Sequence, residues 1–193
     1  MSLRSTSRLA FGVTLSIALM AVPRLGATKP VPGSTPKPKP DATAPKAESA
    51  TKLAWLAFDA ATELAAKQRK HLVVDIYTTW CGWCKVMDRQ TYGDPEVSAY
   101  LTENFVLAKV NGESSAKLHW KGKEITERQF AKEVGVSGYP ATYFMKPNAE
   151  LLGGVAGFIK SPDFMTYARY VSTRWYERGN VQEYVDSLRT AAQ

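Results

Sequence analysis

The 193 residues suffice for one ordinary domain plus a tail, and a hydrophobic fraction of 45% allows that domain a packed core. The formal charge of +7 is lopsided: residues 1–50 carry +5 and the rest of the chain +2, so the domain offers no electrostatic case for binding nucleic acid. The two cysteines lie three positions apart, which excludes a multi-bridge scaffold; a staple across so short a loop removes little entropy from the unfolded chain, so the pair needs a chemical explanation.

Residues 1–27 have the pattern of an export signal. Arg4 and Arg8 form a positive start, and the uncharged run Leu9–Val22 is too short for a standard membrane span. Leu25, Gly26 and Ala27 fit the approach to a cleavage site, with a tilted, uncleaved membrane anchor as the alternative. Residues 28–50 hold Pro30, Pro32, Pro36, Pro38, Pro40 and Pro45 among Lys, Ala and Thr, which reads as an extended, disordered linker. The folded domain is expected over 51–193.

Within it, Trp55, Phe58, Ala61, Leu64 and Ala65 recur at helical spacing and predict a helix over Ala54–Lys70. Leu72–Tyr77 is a short β-branched run and predicts a buried strand. Cys81-Gly82-Trp83-Cys84 follows at once, then a helix over Lys85–Thr91. Asp94-Pro95 reads as an N-cap with proline at the first helical position, opening a helix to about Glu103. Phe105–Val110 predicts the next strand, Asn111–Glu124 a loop or small hairpin, and Thr126–Val134 a helix stopped by Gly135. Thr142–Met145 and Leu151–Ala156 predict two antiparallel strands about a turn at Pro147-Asn148. A helix is expected from Ser161 to about Arg178, broken by Gly179-Asn180, and a last one over Val181–Ala191. This order predicts an α/β sandwich, a mixed sheet with helices on both faces.

Strand, C-x-x-C, helix is a chemically specific order. It places Cys81 at a helix N-terminus, where unpaired backbone N–H groups and the positive end of the dipole favour thiolate, the form that attacks disulfides. Cys84 follows one turn later on the same side and is expected to be the more buried. Cys81 is then the nucleophile of a mixed disulfide and Cys84 the group that resolves it. Alternation along the strand points Asp75 into the protein, where burial would raise its pKa and suit it to relay a proton to or from Cys84.

The segment Val73–Lys85, VVDIYTTWCGWCK, resembles the active-site segment of the thioredoxin superfamily, and the likeness runs from about Leu53 to Arg178. Within that superfamily the chain is most similar to exported thioredoxin-like proteins and to the periplasmic C-terminal domain of the disulfide reductase DsbD, which share the Cys-x-x-Cys-Lys ending and an Asp-Pro helix start. The resemblance implies a thioredoxin-like three-layer sandwich. It implies that Asp75 is the buried carboxylate under the second cysteine and that Lys109 tunes it. Tyr139-Pro140 would carry a cis-proline opposite the cysteines, exposing backbone for a substrate strand. Trp80, Gly82, Trp83 and Gly157 would join them as substrate-binding surface. It implies no metal or organic cofactor beyond a redox-active Cys81–Cys84 disulfide. The partners implied are exported protein disulfides or thiols, with a membrane-embedded electron donor of the DsbD type.

The chain departs from the common pattern in having Gly82-Trp83 where Gly-Pro is usual, in lacking an evident first strand before Ala54, and in an apparent insertion at Ser114–Lys123. With no histidine between the cysteines, the expected direction is reduction; an oxidase or isomerase shares the chemistry, and a chaperone-like peptide-binding module is the rival of another class. Plainer readings also stand: half a zinc site completed by His71 and His119, an ion-paired Asp75, a solvated Lys109, tryptophans that only cover the site, and a trans Pro140. His71 and His119 are expected at the surface.

Overall fold

The structure, a computed structural model, describes residues 52–191. The expected signal peptide (1–27) and linker (28–50) lie outside the described residues. The elements are β1 (Trp55–Leu56), α1 (Phe58–Gln68), β2 (His71–Tyr77), α2 (Gly82–Gln90), α3 (Pro95–Asn104), β3 (Phe105–Asn111), β4 (Lys117–Trp120), β5 (Lys123–Thr126), α4 (Glu127–Glu133), β6 (Ala141–Met145), β7 (Leu151–Ala156), α5 (Ser161–Ser172), a 3-10 turn (Trp175–Glu177) and α6 (Val181–Ala191). The main sheet has the order β1-β3-β2-β6-β7; β1, β3 and β2 run parallel, while β6 and β7 are each antiparallel to the neighbour before them.

β2 is the central strand and is buried almost throughout, as a run with apolar residues on both faces requires. Its alternation sorts the core into two layers. Leu72, Val74 and Ile76 join Val106, Ala108, Tyr143 and Met145 beneath α1, α4 and the β4–β5 hairpin. Val73 joins Leu107 and Phe144 beneath Met87 of α2, Val97 and Leu101 of α3, and Phe164 and Ala168 of α5. Both sheet faces are thus covered by helices, the three-layer sandwich predicted from the element order.

Local chemistry explains several boundaries. Asp94 caps α3, its Oδ1 accepting from the N–H groups of Glu96 (2.9 Å) and Val97 (3.1 Å), with Pro95 next in line. Thr126 opens α4 through a reciprocal capping box with Gln129. The β4–β5 turn places Lys121 (φ 50°) and Gly122 (φ 76°) in the left-handed region, as a two-residue hairpin demands. The polar stretch from Asn111 is therefore a hairpin, one of the two forms expected.

Three helix boundaries differ by several residues from expectation. The helix expected from Lys85 already begins at Gly82, because Cys81 is its N-cap. The helix expected from Ala54 begins at Phe58, because Trp55 and Leu56 pair with Leu107 and Ala108 as a short parallel edge strand. Two residues carry no readable alternation, so the first strand was hidden in an alanine-rich helical pattern. The helix expected to reach Arg178 ends at Ser172: Arg174 turns left-handed (φ 57°) and a 3-10 turn follows, pinned by the Arg174–Glu177 ion pair.

Candidate active site

The C-terminal end of β2 delivers the chain directly into α2, and Cys81 is the N-cap of that helix. Its Sγ accepts the Cys84 N–H at 3.0 Å, so the sulfur takes one of the free amide donors of the first turn. Cys81 and Cys84 are joined by a disulfide, with Cα atoms 5.3 Å apart. Cys84 is not the more buried of the pair: Cys81 is 3% exposed and Cys84 5%.

Two indoles flank this buried bond in solvent. Trp80 is 65% and Trp83 61% exposed. Trp80 leans one way: its Nε1–H donates to Glu113 Oε2 (2.8 Å), and its ring meets Tyr139 edge-on at 6.2 Å between centroids. Trp83 leans the other way, against Phe158 at 5.7 Å. Gly82 stands between them with open space where a side chain would be. The Tyr139–Pro140 peptide bond is cis, and the Pro140 carbonyl accepts the N–H of Gly157 (2.7 Å), whose φ of 91° suits glycine. Tyr139 itself precedes the β6–β7 ladder, which starts with Ala141 opposite Ala156. Its ring lies over Gly112, where a Cβ would collide with it.

Beneath the surface lies a polar row written across the sheet. Register sets Asp75 of β2 opposite Lys109 of β3 on one side and Thr142 of β6 on the other. Directly opposed residues share a face, here the face covered by α2, α3 and α5. Asp75 is 2% exposed. Lys109 Nζ stands 3.5 Å from Asp75 Oδ2 and 2.8 Å from Asp88 Oδ1, over the rings of Trp55 and Tyr77. The Tyr92 hydroxyl donates to Asp75 Oδ1 (3.3 Å) and shares a hydrogen bond with Thr142 Oγ1 (3.2 Å).

The electrostatics follow from that arrangement. Burial pushes the Asp75 carboxyl up to about 6; Lys109 opposes the shift, and Asp88 adds to it. Burial alone would lower the Lys109 ammonium, but its bond to Asp88 and the Asp75 carboxylate outweigh burial and raise it. Lys109 therefore stays charged while Asp75 is poised near neutrality, the range in which a carboxyl both takes up and releases a proton.

Asp88, Tyr92, Thr142, Glu113 and Phe158 were not singled out from sequence. Asp88 had a signal, standing four residues after Cys84 on the same helix face. Thr142 becomes legible only through strand register, and Tyr92, Glu113 and Phe158 only through tertiary contact. His71 is buried, not at the surface: its Nε2 lies 2.8 Å from the Tyr176 hydroxyl, at the end of β2 remote from Cys81. His119 is exposed and bonds Asp59 Oδ2 at 2.8 Å. Each imidazole is thus engaged away from the cysteines.

The comparisons with known proteins agree with this picture. A thioredoxin-like domain family matches residues 58–172. The thiol:disulfide interchange protein DsbD of Cronobacter sakazakii is 30% identical over 131 residues, covering 64% of this chain and 21% of that protein. The chain thus spans about a fifth of the length of the curated relatives it matches. Among solved structures, a thioredoxin from Thermus thermophilus superposes with a TM-score of 0.52 at 25% identity, covering 63% of this chain and 88% of that one. A thioredoxin-fold protein from Helicobacter pylori superposes at 0.53 over 64% of this chain and 82% of that one, at 16% identity, a likeness of fold. With its sheet order, its helix-capping cysteine pair and a family match over more than half its length, the chain belongs to the thioredoxin-like domain family.

Proposed function

We propose that this protein, a thiol–disulfide oxidoreductase, works as a protein-disulfide reductase of the cell envelope, exchanging electrons through Cys81 and Cys84. The observation that carries the exchange is the pairing of a helix-capping cysteine with a buried carboxyl whose pKa burial raises to about 6; the direction rests on the absence of a histidine between Cys81 and Cys84. In the reduced enzyme the Cys81 thiolate attacks one sulfur of a partner disulfide; that bond breaks, and the departing thiolate is protonated. A mixed disulfide now joins partner and Cys81. The Asp75 carboxylate takes the proton of the Cys84 thiol, and the resulting thiolate attacks Cys81 Sγ. The second partner sulfur leaves with the electron pair of the mixed disulfide, two electrons have moved to the partner, and the Cys81–Cys84 bond is made. Lys109 and Asp88 set the affinity of Asp75 for its proton.

Trp80, Trp83, Tyr139 and Gly157 frame the surface on which the partner chain lies. Backbone at Tyr139, just outside the ladder, suits pairing with an extended strand. Arg4, Arg8 and the apolar run Leu9–Val22 support export, so the partners would be exported proteins. A reductase outside the cytoplasm needs a supply of electrons, and the likeness to DsbD supports a membrane-embedded donor. Among the described residues no helix is long and apolar enough to cross a membrane.

The test is trapping. The reduced Cys84→Ser variant mixed with a disulfide-bearing protein should accumulate a mixed disulfide through Cys81, and Cys81→Ser should form none. Equal turnover by both variants, or trapping only through Cys84, would overturn the assignment.

A further inference from the structure

Tyr92 has no part in the exchange as described, yet its position is costly to build. It follows the C-terminus of α2, is 4% exposed, and packs edge-on against Trp55 (4.9 Å between centroids) and Phe164 (5.5 Å). A phenylalanine would fill that apolar space. The hydroxyl instead sits between two polar side chains fixed on adjacent strands, Asp75 Oδ1 at 3.3 Å and Thr142 Oγ1 at 3.2 Å. All three side chains are buried, so none has bulk water as an alternative partner.

We infer that Tyr92 is a positioning residue for Asp75: its hydroxyl, backed by that of Thr142, forms a hydrogen-bond pair that reverses its polarity and so serves the carboxyl in both protonation states. The purpose of this device rests on the reading of Asp75 as proton acceptor for Cys84.

The reasoning is one of donor and acceptor inventory. An ionised carboxylate only accepts, and a protonated carboxyl has one proton to donate. The Lys109 ammonium only donates, so it suits the ionised form alone. A hydroxyl does both. With Asp75 ionised, Thr142 O–H donates to the Tyr92 oxygen and Tyr92 O–H donates to Asp75 Oδ1. With Asp75 protonated, the acid O–H donates to the Tyr92 oxygen and Tyr92 O–H donates to Thr142 Oγ1. Two hydroxyl rotations make the exchange, and no heavy atom needs to move. The one proton added is the one Asp75 takes from Cys84. Tyr92 keeps its own, because burial, with the Asp75 charge adding to it, raises its phenol well above the usual range. The charged groups around this pair are Asp75 on β2, Lys109 on β3 and Asp88 on α2; Trp55 and Phe164 close the ring with apolar surface.

The two hydroxyls should act unequally. Tyr92→Phe keeps the ring and removes the donor that the ionised carboxylate needs, so Asp75 should titrate higher. Thr142→Val keeps the volume and removes one hydrogen bond of the pair in each protonation state, so the Asp75 midpoint should move much less. The measurement is a carboxyl NMR titration of Asp75 in the oxidised full chain, where no exchange takes place. The expected result is a midpoint raised by about 0.5 pH or more in Tyr92→Phe and a smaller shift in Thr142→Val. An unmoved or lowered midpoint in Tyr92→Phe, or a shift of about 0.5 pH or more in Thr142→Val, would overturn the inference; if Tyr92→Phe fails to fold, the size of the Thr142→Val shift decides. Because the titration needs no thiol chemistry, it judges Tyr92 separately from the relay. The relay is judged by whether Asp75→Asn changes the pH profile of exchange.

Discussion

Asp75→Asn should make the protein more stable at neutral and alkaline pH, and the gain can be worked from the site. Asp75 is raised from an ordinary 3.8 to about 6, so the folded state holds a proton that the unfolded state has already released across that window. Stability is then fully present below pH 3.8 and declines as pH rises through 6. The difference of about two pH units corresponds to about 3 kcal/mol at pH 8, the cost of keeping a charged carboxylate in a site that favours the neutral acid. Asparagine has nearly the shape of the neutral acid, keeps an oxygen for the Tyr92 hydroxyl, and does not ionise. The variant should therefore gain about 3 kcal/mol at pH 8, about half of that at pH 5, and almost nothing by pH 3. Urea unfolding of the oxidised wild type and variant at these three pH values measures it. A gain that does not vary with pH, or a loss at pH 8, would refute the reasoning by showing an Asp75 with an ordinary or depressed pKa.

The same carboxyl predicts a kinetic limb: the single-turnover rate of closing the Cys81–Cys84 bond from the mixed disulfide should rise with pH about a midpoint near 6, and Asp75→Asn should slow it and erase that limb. Trp83 is 61% exposed, so Trp83→Ala should change unfolding stability by less than about 1 kcal/mol while slowing exchange with protein disulfides several-fold more than with a small dialkyl disulfide. Gly112→Ala should push the Tyr139 ring off its seat and slow exchange with protein disulfides, with the isolated Cys81–Cys84 potential unchanged; normal rates would show that the Tyr139 position is immaterial.

The sandwich was readable because most of its elements carry unambiguous local signals. β2 is a β-branched run buried on both faces, Asp94-Pro95 is a cap followed by a pre-set turn, and Gly135 stops α4 with a positive φ. Trp55–Leu56 was unreadable because its strand character comes entirely from pairing with β3, a non-local contact that helical periodicity concealed. The end of α5 differs in kind: nothing in Thr173-Arg174 forbids a helix, and the turn that follows is held by the Arg174–Glu177 pair and by the Tyr176 hydroxyl against His71 Nε2 of β2.

At the site, the sequence exposed the residues whose spacing is fixed by one strand and one turn, namely Cys81, Cys84 and Asp75. Trp80, Gly82, Trp83, Lys109, Tyr139-Pro140 and Gly157 came only with the family resemblance. The groups that complete the buried row, Asp88, Tyr92 and Thr142, lie on a helix, a loop and a neighbouring strand. They meet Asp75 only after the sheet has set its register, which no local pattern encodes.

The direction of electron flow is the centre of the account, and the equilibrium reduction potential of Cys81–Cys84 tests it most directly. Equilibration of the purified protein with a dithiol buffer and with glutathione should give a value near that of a reducing thioredoxin, about −270 mV. A value near that of a strong oxidant, about −120 mV, would contradict the account and reverse the roles of protein and partner.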